Sequence, residues 1–336
     1  MGIQKMNTLD KEFKVAVVIP CYKVKEHILS VIERIGPEVD AIYAVDDKCP
    51  QNSGDYITEH CHDPRVKVLF NAENQGVGGA VLHGYRIGLE DGMDIFVKVD
   101  GDGQMDPGLV KYFINPILNK DVDYTKGNRF HDIDTLKPMP KIRLFGNAVL
   151  SFMTKFSSGY YNLFDPTNGY TAISAVVLKK LPLEKISKRY FFESDILFRL
   201  NIVGAKICDI PMDAVYGDEE SNLNIKKIML PFLRGNVKNL FKRIFYNYFL
   251  RGFSIASLEL ILGTLLSLFG VIYGISSWSE SISTGYPATS GTVMLSALPI
   301  ILGVQLLLSF IQADIENQPG ISLTRLLTDR ANRIDR

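Results

Sequence analysis

Short apolar runs alternate with amphipathic ones along the first two thirds of the chain. Residues 13–20 read as a buried strand, carried by Val15, Val17, Val18 and Ile19 and stopped by Pro20, with 21–25 as the loop after it. Residues 26–35 place Ile28, Leu29, Ile32 and Ile35 at helical spacing and end at Gly36-Pro37. A second strand over 39–45 runs into Asp46-Asp47. The polar loop 48–54 then leads to a helix ending near His62, and 65–70 is a third strand. Asn74 to Ala80 opens a helix reaching about Glu90; 94–99, 121–126 and 206–210 are further strands. Residues 143–156 and 189–200 read as helices, and Asp165-Pro166-Thr167-Asn168-Gly169-Tyr170 as a tight turn. This alternation predicts an α/β fold with a mainly parallel sheet and helices on both faces. Ligands of such sheets sit beyond the carboxyl ends of the strands.

The pattern changes at residue 225. From there to 251, Lys226, Lys227, Arg234, Lys238, Lys242, Arg243 and Arg251 lie among Ile, Leu, Phe and Tyr, the composition of a helix lying on a membrane surface. Residues 253–276 are long enough for the ~20 residues a bilayer requires, with Glu259 their only charge, placed to reach headgroups or a neighbouring subunit. Residues 292–311 form a second span without charges. The linker 277–291 has no Lys or Arg, whereas the outer flanks carry many, including Arg325, Arg330, Arg333 and Arg336. The positive-inside rule predicts a two-helix transmembrane hairpin with both flanks, and hence the globular part, in the cytoplasm at the cell (inner) membrane. The expected division is a catalytic domain over 1–222, interface helices over 223–251, the hairpin over 252–313 and a cytoplasmic tail over 314–336.

Composition adds limits. A chain of 336 residues holds one large or two modest domains, and 46% apolar residues is high for a purely soluble enzyme. A formal net charge of zero implies no bulk attraction to nucleic acid. Cys21, Cys49, Cys61 and Cys208 have no framework spacing and fit a reduced compartment. His60-Cys61-His62 with Cys49 matches no standard zinc spacing, and residues 1–13 lack the apolar core of a cleavable signal peptide.

The densest chemistry lies in Val97-Lys98-Val99-Asp100-Gly101-Asp102-Gly103-Gln104, where an apolar strand ends in two carboxylates one residue apart. Alternation along extended chain points Asp100 and Asp102 the same way. With the Gln104 carbonyl they offer three hard oxygens suited to Mg²⁺ or Mn²⁺, ions that share such ligands with substrate phosphates. A metal-free turn rich in Asp and Gly is the other reading. The predicted strand ends bring Pro20-Cys21-Tyr22, Asp46-Asp47, Asn74 to Gly79 and Asp100 to Gln104 to one rim, and Arg129 ends another strand. The Asn74 to Ala80 loop is not a Walker loop, since no Gly-Lys-Ser/Thr follows, and it lacks the dinucleotide fingerprint after the first strand.

In this order the motifs resemble family 2 glycosyltransferases of the GT-A fold, and among them the polyprenyl-phosphate glycosyltransferases. The resemblance covers roughly residues 14–222, and the hairpin after it matches the bacterial members. Ile19-Pro20-Cys21-Tyr22 resembles the family's opening motif beside the nucleotide base, and Val45-Asp46-Asp47 its base- and ribose-binding Asp-Asp. Asp100 to Gln104 resembles its Asp-x-Asp-x-Gln metal site, and Gly127-Asn128-Arg129 its Gly-x-Arg facing the donor sugar and phosphates. The resemblance thus implies metal ligands Asp100, Asp102 and Gln104. It implies donor contacts from Pro20, Tyr22, Val24, Asp46, Asp47, Asn74, Gly79, Asp100, Gly101 and Arg129. Catalytic roles fall to Asp102, Arg129, Asp165 and Asp195, the last two orienting the acceptor or the metal shell. Tyr216 and Asn222 stand where the family has a phosphate-gripping Arg and Lys, and Lys23 and Val24 replace the usual Asn and Glu. Phosphate binding is therefore expected to lean on Arg129, Lys226, Lys227 or Arg234. The implied reaction moves a sugar with inversion from a nucleotide diphosphate sugar, UDP-linked by preference, to a polyprenyl phosphate, with a homo-oligomer, a tetramer by resemblance, in the lipid bilayer. A GDP-mannose donor, or a soluble or saccharide acceptor, is the alternative. A processive polysaccharide synthase would carry Gln-x-x-Arg-Trp, and the single tryptophan, Trp278, lies in the linker instead.

Overall fold

Seven strands form one sheet: β1 Val15–Cys21, β2 Ala41–Asp46, β3 Val66–Phe70, β4 Ile95–Lys98, β5 Tyr124–Asn128, β6 Thr171–Ser174 and β7 Ile207–Pro211. They come from a computed structural model that describes residues 13–131, 141–213 and 225–334. Their order is β3-β2-β1-β4-β6-β5-β7. Only β6 is reversed, lying antiparallel to both β4 and β5. Six strands were expected from the pattern; β6 was not. It has four residues, follows the Asp165 turn directly and runs straight into a helix, so no periodicity marks it. Pro20 does not stop β1 but lies inside it, opposite Val45 of β2. The Val18 carbonyl accepts from the Val99 amide, so Val18 faces β4, and so does Pro20 two residues on. There β4 has already ended, and the missing proline N–H costs no ladder bond.

The helices are α1 Ile28–Glu33, α2 Ser53–His60, α3 Val77–Glu90, α4 Val110–Leu118, α5 Lys141–Ser158, α6 Ala175–Leu178, α7 Phe192–Val203, α8 Ile225–Phe245, α9 Ile255–Thr284, α10 Ser290–Glu316 and α11 Leu323–Ile334. Alternation along β1 sends Val15, Val17 and Ile19 into a core with Ile28, Ile32 and Phe113. Ala16 and Val18 face the opposite core, with Val81, Leu82 and Leu197. Each fully buried side chain of this kind contributes about 1.5–3 kcal/mol, which fixes the register and with it the strand ends.

Two compact units result. One runs to Leu240 and includes the chain from Pro319 onward; the other is Phe241–Gln318. The division between these units falls in α8, whose first part packs on the sheet unit. Phe232 meets the Phe191 ring at 5.1 Å, and Asn239 donates to Asp195 Oδ1 at 3.0 Å. The final segment, expected as a tail, returns to the sheet as well. Buried Asp123, just before β5, accepts from Ser322 Oγ at 2.9 Å, from the Leu323 and Thr324 amides at 2.7 and 2.8 Å, and from Thr324 Oγ1 at 2.7 Å. A carboxylate about 200 residues earlier in the chain thus caps the start of α11.

The second unit contains α9 and α10, of 30 and 27 residues, each with an 18-residue stretch of mean hydropathy 2.1 and 2.2 respectively, both long and apolar enough to cross a membrane. Small residues line their contact: a Cβ on Gly263 would meet the Gly303 carbonyl at 3.0 Å, and one on Gly270 the Ser296 carbonyl at 2.7 Å. Glu259 accepts from Ser309 Oγ at 2.7 Å within the hairpin. Arg243 clasps Asp314 with two bonds of 2.6 and 2.7 Å, and Tyr248 adds a third at 2.8 Å.

Candidate active site

The carboxyl ends of β1, β2 and β4 and the start of α3 open on one cavity of ≈ 520 Å³. Of the residues singled out in the sequence, Pro20, Tyr22, Val24, Asp47, Asn74, Asp100, Gly101 and Asp102 line it. Lys23, His27, Arg189 and Tyr190 line it too and were not foreseen. Asp46, Gly79, Gln104, Arg129, Asp165 and Asp195 are not among its lining residues.

Asp100 and Asp102 share the cavity for a reason other than strand alternation. β4 ends at Lys98, and residues 101–103 form a turn in which Gly103 holds φ at 79°. Buried Lys98 donates to Asp100 Oδ1 at 2.6 Å and to the Gly169 carbonyl at 3.0 Å, and lies 3.5 Å from Glu193 Oε1. Gln104 is exposed; its amide donates to Asp102 Oδ1 at 3.0 Å. Among the described residues no group of three or more His, Cys, Asp or Glu forms a metal cage. The donor set nevertheless fits Mg²⁺ or Mn²⁺. Two carboxylates face a cavity roomy enough for a diphosphate, and such ions commonly take one or two protein carboxylates and complete their shell from phosphate and water.

The paired acids at the end of β2 divide their work. Asp46 accepts from the Cys49 and Gly54 amides, both at 2.7 Å, and thereby folds the loop into α2. Asp47 accepts from Asn71 Nδ2 at 2.7 Å and from the Gln75 and Gly76 amides at 2.9 and 2.7 Å, so it anchors the glycine loop. Gly76 has φ 85°, and a Cβ there would meet the Lys188 carbonyl at 2.8 Å; one on Gly78 would meet the Ser187 carbonyl at 2.7 Å. The glycines serve close approach of the 187–192 segment, with the Gly79 amide bonded to the Lys188 carbonyl at 3.0 Å. That approach brings Arg189 to the cavity, its Nη2 3.4 Å from the Asn74 carbonyl.

Arg129 and Asp165 meet each other. The guanidinium donates through Nε at 2.7 Å and Nη2 at 3.2 Å to a carboxylate that is 0% exposed, which also accepts from Thr167 and Asn168. This fork fixes the 165–170 turn beside β5. Asp195 is likewise bound into the fold, accepting from the Ser187 amide, Arg199 and Asn239. The helix-borne acid that approaches the metal-site cluster is its neighbour Glu193. Beside the turn, buried Lys126 donates to the Asn168 carbonyl, and burial pushes its ammonium down to about 8. The expected phosphate motif at 216–222 and the side chains of Lys226 and Lys227 lie outside the described residues, and Arg234 is exposed on α8. A Lys inside an apolar strand, two residues before an acid, was the available signal for Lys98. Arg189 gave none, because its place depends on a glycine loop more than a hundred residues away.

The family model "Glycosyl transferase family 2" matches residues 16–182. Undecaprenyl-phosphate mannosyltransferase of Micrococcus luteus is 32% identical over 207 residues, covering 60% of this chain and 84% of that protein. The UDP-N-acetylglucosamine–dolichyl-phosphate N-acetylglucosaminyltransferase of Methanococcus voltae is 30% identical, over 60% of this chain and 85% of its own. Among solved structures, glucosyl-3-phosphoglycerate synthase of Mycobacterium tuberculosis, in complex with Mn²⁺, UDP and glucosyl-3-phosphoglycerate, has a TM-score of 0.52 at 16% identity, over 69% of this chain and 80% of that one. That likeness speaks for the GT-A fold. On the sheet, its rim and these relatives together, the chain is a glycosyltransferase belonging to glycosyl transferase family 2, in its polyprenyl-phosphate group.

Proposed function

We propose that this enzyme transfers a sugar, with inversion, from a nucleotide diphosphate sugar to a polyprenyl phosphate at the cytoplasmic face of the cell membrane, with a UDP-sugar as preferred donor. The observation that carries the reading is the cavity at the carboxyl ends of β1, β2 and β4, where Asp100 and Asp102 share ≈ 520 Å³ with Lys23 and Arg189. That volume suits a nucleotide-sized ligand. The relatives named for undecaprenyl and dolichyl phosphate support the acceptor; one is named for mannose and one for N-acetylglucosamine, so the UDP-linked donor is this reading's own preference, with GDP-mannose as the alternative.

Asp100 and Asp102 would hold Mg²⁺ or Mn²⁺, which when bound supplies Lewis-acid stabilisation of a departing diphosphate. Lys23 and Arg189 add charge-assisted bonds to the same phosphates. Asp47 and Asn74, fixed by the loop they brace, border the nucleoside. The nucleophile is an oxygen of the lipid monophosphate, whose second pKa near ~6 leaves it ionised at neutral pH. No side chain has to take its proton, which agrees with Asp165 and Asp195 both being spent on internal bonds.

Membrane attachment rests on α9 and α10, an even number of crossings that returns the chain to the side it left. It rests also on α8, whose Asn236 and Asn239 are buried in the sheet unit while Leu230, Leu233 and Val237 are exposed beside Arg234 and Lys238. Self-association in the bilayer belongs to the same reading, and crosslinking in native membranes reports it. The test is a screen of UDP- and GDP-sugars with Mn²⁺ and a short polyprenyl phosphate, read as product extracted into organic solvent. Product that stays in water would transfer the reading to a soluble acceptor. In Asp102→Asn, turnover is expected to fall at least about a hundredfold with the melting profile unchanged.

A further inference from the structure

Lys98 has no part in the mechanism above, yet it is 1% exposed and sits directly behind a metal-site carboxylate. Its ammonium has three donors and three acceptors around it: Asp100 Oδ1 at 2.6 Å, the Gly169 carbonyl at 3.0 Å and Glu193 Oε1 at 3.5 Å. They come from the turn after β4, the turn before β6 and from α7, so the lysine is held from three directions. A buried ammonium that lost these partners would be left uncompensated at high cost, and it stays in place.

The consequence falls on Asp100. One of its two oxygens is already committed to a cation, and a dication arriving at the other meets that cation's field across a single carboxylate. We propose that Lys98 is a resident counter-ion that masks Asp100, so that a divalent cation is retained at Asp100 and Asp102 only when a nucleoside diphosphate supplies further oxygens and negative charge. The proposal rests on the metal-site reading given under Proposed function. It makes Lys98 a positioning residue that sets the order of assembly: the ion is kept with the nucleotide and leaves with it.

Mn²⁺ binding to the full-length detergent-solubilised protein, followed by the electron paramagnetic resonance of the free ion with and without UDP, tests this. Wild type is expected to bind Mn²⁺ at least about tenfold more tightly with UDP than without. Lys98→Met is expected to tighten UDP-free binding by about tenfold or more, shrinking the UDP dependence. Because that change also takes the ammonium from Glu193, Lys98→Met/Glu193→Gln supplies a variant in which only Asp100, the proposed metal ligand, is unmasked, with the same expected outcome. UDP-free binding in both variants no tighter than wild type overturns the proposal. So does a wild type that binds Mn²⁺ equally well with and without UDP, an outcome that spares the metal site itself. A wild type that takes up no Mn²⁺ with any nucleotide removes the metal site and the proposal together.

Discussion

In β7, Asp209 accepts from the Phe164 amide at 2.7 Å through one oxygen, while the other is buried without a hydrogen-bond partner among the described residues. Burial, with Asp165 adding to it, outweighs the Phe164 amide, Lys126 and Lys155 and pushes the carboxyl from 3.8 up to about 6. The folded protein therefore holds this proton more tightly than the unfolded chain. Asp209 favours the fold at low pH, and that contribution is lost as pH rises from about 4 through 6. Asp209→Asn keeps the acceptor for Phe164 and removes the charge. Its melting temperature is expected to lose this slope and to exceed wild type by roughly 2 °C or more at pH 7.5, which a pH series of thermal melts in detergent checks. At the same scale, Arg189→Ala is expected to raise the donor KM about tenfold with little change in kcat, the mark of lost ground-state binding. Asp100, Asp102 and Asp47, placed near strand ends by the sequence pattern, do line the cavity. Their partners were not legible in advance. Asp165 and Asp195, expected to orient the acceptor or the metal shell, are bound to Arg129 and Arg199, because a sequence names charges without saying which ones meet.

Among the elements, α8 has the amphipathic spacing expected of an interface helix. Toward the sheet unit it turns Phe232, Asn236, bonded to Ser157 Oγ at 2.5 Å, and Asn239, bonded to Asp195. The apolar stripe points outward, with Leu230 71% exposed. Leu230→Glu/Val237→Glu should leave the melting temperature within about 2 °C, as surface changes do, while weakening adsorption of the protein to anionic vesicles in a co-sedimentation assay; unchanged adsorption would remove α8 from the membrane. The glycine loop makes the opposite case. Its function as a phosphate cradle was doubtful from spacing alone, and the contacts explain why: it receives a chain segment. Gly78→Val places a side chain against the Ser187 carbonyl and Phe192 and is expected to cost about 1–3 kcal/mol in urea unfolding. It should also raise the donor KM by displacing Arg189. β6 was invisible because its reversal and brevity leave no pattern to read.

For the molecule as a whole, the sheet and the two apolar helices were legible because each announces itself locally, by alternation or by sheer hydropathy. The clasp between Asp123 and α11 was not, since its partners stand about 200 residues apart. Asp123→Ala strands several buried donors and is expected to cost about 3 kcal/mol or more, read by urea unfolding of the detergent-solubilised protein. The clasp also imposes a timetable on biosynthesis. Ser322 and Thr324 leave the ribosome only after both apolar helices have been made, so the sheet unit waits for its last strap until the whole apolar hairpin has emerged.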